Sequence, residues 1–151
     1  SKGVKMDLQA FLKPQVLPAA EADVVLSGRF KGADGEPEAF HLKGISEEEN
    51  AFLRRSCQKP GKGLEGPSFD RERYLRKFTA ACVTFPDLKS EALQRSGGVI
   101  GEEALIGAML TAGEYAKLLR AAQEVCGFIT AGEADGGKSE LKNGSGGETA
   151  N

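Results

Sequence analysis

The chain has 151 residues, enough for one domain with an ordinary core, and its 40% hydrophobic and 28% charged content is that of a soluble globular protein. A net charge of -2 and a pI near 5.6 argue against a dedicated nucleic-acid binder, and no apolar run of roughly 18 residues is present to span a membrane. Cys57, Cys82 and Cys126 are odd in number and far apart, which excludes a disulfide scaffold or a zinc site built on paired cysteines, so they read as buried thiols.

In chain order, Ser1 to Lys5 carries no apolar core of signal-peptide length, and a cytoplasmic location is the expectation. Asp7 to Pro14 is a short amphipathic piece. Leu8, Phe11 and Leu12 share one face, Asp7 can cap and Pro14 ends it. So short a piece is not stable alone and needs to dock on its own domain or on a partner. Val24 to Phe30 has strand-like spacing, Asp34-Gly35 is a turn dipeptide, and Glu38 to Lys43 alternates again. The expectation is a β-hairpin from Val24 to Lys43 with a wide loop. Its free edges invite a second subunit. His41 falls on the polar face and reads as a surface histidine, with no nucleophile or orienting acid tied to it.

Ser46 caps the first substantial helix, and Glu47, Glu48 and Glu49 suit its positive end, which explains the acids without a metal. Phe52, Leu53, Ser56 and Cys57 mark the face expected to point inward. Gln58 to Ser68 is a glycine and proline connector, without the order of a phosphate-binding loop. Asp70 caps a second helix whose stripe is Tyr74, Leu75, Phe78, Ala81, Cys82 and Phe85, with Pro86 ending it. Arg71, Arg73, Arg76 and Lys77 make it the one locally basic surface. Leu88, Ala92 and Leu93 follow as a short inward-facing segment that Gly97-Gly98 breaks.

Gly101 to Cys126 holds the best hydrophobic pattern in the chain. Ala104 to Leu110 forms one helix. Thr111 and Glu114 make a capping box for the next, whose stripe is Tyr115, Leu118, Leu119, Ala122, Val125 and Cys126, with Gly127 as its stop. After Ile129 the pattern ends. Residues 131–151 are glycine-rich and acidic, with Leu141 the only large apolar side chain, and are expected to be a flexible tail. The fold class is therefore α+β: a single domain over residues 1–130, with an N-terminal β-hairpin packed against a mainly helical C-terminal part, and a disordered Gly-rich tail.

The ordered set of motifs resembles a known family. It comprises Leu8-Gln9-Ala10-Phe11-Leu12, Ser27-Gly28-Arg29-Phe30 with Asp34-Gly35, and Ile45-Ser46-Glu47-Glu48-Glu49. Tyr74-Leu75, Ala80-Ala81-Cys82-Val83, Phe85-Pro86-Asp87-Leu88 and Leu110-Thr111-Ala112-Gly113-Glu114-Tyr115 complete it. Over roughly residues 7 to 128 it is similar to the phage tail assembly chaperones of contractile-tailed phages and phage-like elements of Gram-positive bacteria, the XkdN-like group. The glycine content of the tail departs from the family.

The resemblance implies a non-catalytic chaperone, without cofactor, metal or catalytic residues. It would bind the tape measure protein and keep it soluble during phage tail tube assembly. It also implies action in the host bacterial cytoplasm, absence from the mature particle, and the possibility of a frameshift-extended form of the chain as a partner. A homo-oligomer is a further expected partner; nucleic acid and membrane are not. The residues themselves fit a holdase, which needs an apolar surface left partly open and no catalytic constellation. Partner-binding candidates are Arg73, Tyr74, Arg76, Lys77, Phe78, Phe85, Tyr115 and Leu119. The alternative is a small structural or adaptor protein retained in the assembled tail.

Overall fold

The computed structural model describes residues 6–130. The expected tail, 131–151, lies outside them. The chain runs through two 3-10 turns (Leu8–Phe11 and Lys13–Gln15), then β1 (Glu21–Val24), β2 (Phe40–Lys43), α1 (Glu47–Ser56), β3 (Gln58–Lys59), β4 (Ser68–Phe69), α2 (Arg71–Cys82), β5 (Val83–Phe85), α3 (Glu91–Ser96), α4 (Glu102–Met109) and α5 (Ala112–Val125). N-terminal strands thus precede a mainly helical region. Among the described residues no helix is long and apolar enough to cross a membrane.

The main sheet has the order β1-β2-β5, antiparallel throughout, with Val24 opposite Phe40 and Leu42 opposite Val83. Two boundaries differ from the sequence expectation. The first strand is Glu21–Val24, and not Val24 to Phe30. Beyond Val24 the chain leaves the ladder because Ser27 and Arg29 are drawn to α5 by hydrogen bonds to Glu114. Leu26 is still buried, from a loop. The turn at Asp34-Gly35 is present, with Gly35 at φ 83°. The second difference is at the end of α2, which stops at Cys82, so Phe85 belongs to a third strand. Val83 and Thr84 are β-branched and favour extended backbone. Thr84 Oγ1 also donates to the His41 carbonyl, 3.1 Å away. The connector after α1 carries a small hairpin of its own, Gln58 opposite Phe69 and Lys59 opposite Ser68.

The helix starts at Ser46, Asp70 and Thr111 follow the sequence. Ser46, Asp70 and Ser90 each accept the backbone N–H three residues on, and Thr111 with Glu114 forms the complete capping box. α5 backs β1 and β2, and α2 packs against α4, α5 and α1. Between them lies the core, centred on Phe78, Leu118, Leu105, Ile106, Leu42 and Leu26. The inward-facing expectation is corrected for Phe52 and for Ala92, which is exposed. Phe52 is 61% exposed, because the buried side of α1 runs through Asn50 and Cys57. Asn50 can sit inside because it accepts the Tyr74 hydroxyl at 2.6 Å. The N-terminal turns do not dock on the domain: Phe11 is 76% exposed and Leu8 and Leu17 are open as well. His41, half-buried, does have an acid beside it. Its ring pairs with Asp23 across the strands and meets the Phe85 ring edge-on.

Candidate functional site

The basic face of α2 is built by periodicity. Arg73, Arg76 and Lys77, at steps of three and four, share one face of α2, and α4 packs against that helix. Glu103, in the first turn of α4, accepts Arg73 Nε at 3.1 Å and Arg76 Nη2 at 3.5 Å. The bond to Glu103 raises the Arg73 pKa. Two of the three cations are thus engaged within the molecule. Lys77 has no ion-pair partner among the described residues, nor has Lys89.

Two open depressions flank this ion cluster. The larger, about 700 Å³, lies between α1, α2 and the start of α4. Leu53, Ala81 and Leu88 are among its apolar lining, Lys77 and Lys89 are on it, and Phe52 and Ile100 also line it. Ile100 is 94% exposed. The smaller, about 430 Å³, is lined by Leu75, Arg76, Ile106, Leu110 and Tyr115 among others. Arg73 and Glu103 border the first and Arg76 the second.

The candidates read from sequence therefore separate. Arg73 and Lys77 line the larger depression, and Arg76 and Tyr115 the smaller one. Burial raises the Tyr115 hydroxyl pKa. Phe85 stands half-exposed at the sheet edge beside His41. Leu119 is half-buried against the core. Phe78 is 2% exposed, stacked on Tyr74 with ring centres 6.1 Å apart and met edge-on by Phe128 at 5.7 Å. Phe52, Leu53, Leu88, Lys89 and Ile100 are lining residues that the sequence reading did not select. Ile100 carried a signal: with Val99 it sits between Gly98 and Gly101, in a segment too short to belong to a helical stripe.

On the other side of the helical layer, Glu114 joins three segments. Only 4% exposed, it accepts Arg29 Nε at 2.9 Å and Arg29 Nη2 at 2.8 Å, the Ser27 hydroxyl at 2.5 Å and the Thr111 N–H at 2.8 Å. Arg29 Nη2 also reaches the Met109 carbonyl at 2.9 Å. The bonds from Arg29 first, then from Ser27 and Thr111, hold the Glu114 carboxyl well below the usual carboxylate range. This is structural work. Among the described residues no three His, Cys, Asp or Glu side chains gather as a metal site.

Comparison with known proteins agrees with this architecture. A crystal structure of the protein yqbn superposes with a TM-score of 0.70 at 24% identity, covering 83% of this chain and 100% of that one, and shows the same fold. None of the curated proteins matches the chain significantly. The family model for the phage XkdN-like tail assembly chaperone protein matches residues 8–138. Its span takes in both depressions and the Arg29–Glu114 junction, and the chain belongs to the phage XkdN-like tail assembly chaperone family.

Proposed function

We propose that this chain is a non-catalytic holdase that binds the tape measure protein and keeps it soluble while the tail tube assembles. Within a tail assembly chaperone family, the observation that carries this reading is the larger depression, with Phe52 and Ile100 left open to solvent along it. Exposed apolar residues beside an open groove suit one stripe of an amphipathic helix. Lys77 and Lys89, which have no ion-pair partner among the described residues, would meet acids flanking that stripe. Arg73, Arg76 and Tyr115 extend the surface toward the smaller depression. Phe78 is a core residue with Tyr74 stacked on it, and Phe85 and Leu119 line neither depression.

The protein would act in the host bacterial cytoplasm and leave before the particle matures. Self-association through the β1 or β5 edge, and pairing with a frameshift-extended copy, belong to the same proposal.

The test is co-expression with the tape measure protein. Phe52→Ser with Ile100→Ser should abolish its capture, and Lys77→Glu with Lys89→Glu should weaken it and change its salt dependence. Full-strength capture by both variants would remove the groove from the site. A tape measure protein that stays soluble without this chain would overturn the chaperone role. Detection of the chain in purified virions would favour a structural component instead.

A further inference from the structure

Cys82 and Cys126 are 44 residues apart in sequence, yet their Sγ atoms lie 3.6 Å apart. Cys82 is the last residue of α2 and is fully buried; Cys126 is the C-cap of α5 and is half-buried. From this geometry we infer that Cys82 and Cys126 form an oxidative modification site, closing to an intramolecular disulfide when the protein meets a two-electron peroxide oxidant.

The approach needed is small. A disulfide has its sulfurs about 2.05 Å apart, so the gap must close by about 1.5 Å. Both residues sit at element ends, and Gly127, at φ 82°, follows Cys126 directly. Rotation at the end of α5 can supply the movement without dismantling a helix. The two thiols are not equivalent. Cys126 is the more accessible, and the Ile45 N–H points at its sulfur from 3.5 Å. Cys82 is buried, and its desolvation raises its pKa and keeps it protonated. Cys126 is therefore oxidised first and Cys82 resolves.

In the first step the Cys126 sulfur attacks one oxygen of hydrogen peroxide. An S–O bond forms, the O–O bond breaks, and the leaving oxygen departs as water with the thiol proton. In the second, the Cys82 sulfur attacks the Cys126 sulfur. The S–S bond forms, the S–O bond breaks, and a second water leaves with the Cys82 proton. Two thiols and one peroxide give one disulfide and two waters. Cys57 supplies an internal comparison. It is buried too, but the side-chain group within hydrogen-bond reach of its sulfur is the Ser56 hydroxyl at 3.8 Å and not a second sulfur.

The full chain is titrated with hydrogen peroxide, its free thiols are counted, and its peptides are mapped by mass spectrometry without reduction. The expected result is a fall from the three thiols of the reduced chain to one, with a linked Cys82–Cys126 peptide. The unfolding midpoint should rise by roughly 5–15 °C, reversibly on reduction, as expected for a cross-link closing a loop of this length. Cys126→Ser, at the less buried position, should leave the other two thiols reduced under the same dose. Linkage through Cys57, linkage between chains only, or a sulfinic acid at Cys126 with Cys82 still free would overturn the inference.

Discussion

Gly44 connects β2 to α1 and passes against the end of α5. A Cβ placed there would lie 2.4 Å from the Val125 carbonyl oxygen and 3.2 Å from its carbon, with Ala19 Cβ at 3.4 Å on the other side. The Gly44 N–H is already fixed to the Ala20 carbonyl at 2.9 Å, and the next N–H, that of Ile45, points at Cys126. A backbone carbonyl cannot rotate away as a side chain can, so Gly44→Ala must push β2 and α5 apart. Overpacking of this kind costs about 1–3 kcal/mol. Against it, alanine restricts the unfolded chain and returns about 0.4–1 kcal/mol, because Gly44 is not in the left-handed region. A 2.4 Å contact with backbone lies at the costly end of that range, so the clash wins, with a net loss of up to roughly 2.6 kcal/mol. With a urea slope of about 2 kcal/mol/M this is a fall in midpoint of up to about 1.3 M. Gly28→Ala is the control: no atom lies within 4 Å of its Cβ and its φ is not left-handed, so it should be neutral or slightly stabilising. Urea melts at 25 °C in which Gly44→Ala matched or exceeded Gly28→Ala would refute the close-approach argument.

Other expectations follow from burial and capping. Leu118 is fully buried, and Leu118→Ala should cost about 2–5 kcal/mol in the same melts, whereas Leu64→Ala, at an open position, should stay within about 0.5 kcal/mol of the parent. Thr111→Ala removes the cap of α5 and should cost about 0.5–2 kcal/mol. Glu114 has a folded pKa below its ordinary value of 4.5, so the stability it contributes is fully present above that pH and is lost as pH falls below it. Melts at pH 7 and at about pH 3.5 should therefore differ less for Glu114→Gln than for the parent, and an unchanged difference would show that other carboxylates set the acid response.

What the sequence made legible was local. Ser46, Asp70 and Thr111 each start a helix by a contact three residues away, and each start was placed correctly. What it hid was non-local or polar. Val83 to Phe85 looked like a continuation of α2 because Phe85 keeps the helical spacing from Phe78 and Cys82. Only the presence of β2 alongside makes the extended form preferable. Arg29 and Glu114 lie 85 residues apart, and a capping glutamate gives no hint that it also receives an arginine. Phe52 was turned inward by hydrophobicity alone, whereas the buried stripe of α1 includes an asparagine whose partner is a tyrosine on another helix. The functional surface was partly legible for the same reason. A basic helix face is visible in sequence, but which of its cations are already neutralised depends on where Glu103 comes to rest.

The distribution of these contacts separates stability from exposure within one small domain. The side where α5 meets the sheet is closed by a buried carboxylate with its hydrogen bonds satisfied, and by Leu118 beneath it. The side formed by α1, α2 and the start of α4 leaves Phe52 and Ile100 in water, where they contribute little to folding. A protein selected only for its own stability gains nothing from large apolar side chains along an open groove, and each raises the risk of aggregation. Their position is accounted for if the missing contact comes from another chain. Because the two sides share only the core, substitutions at Phe52 and Ile100 can test that contact while the α5 side continues to hold the fold.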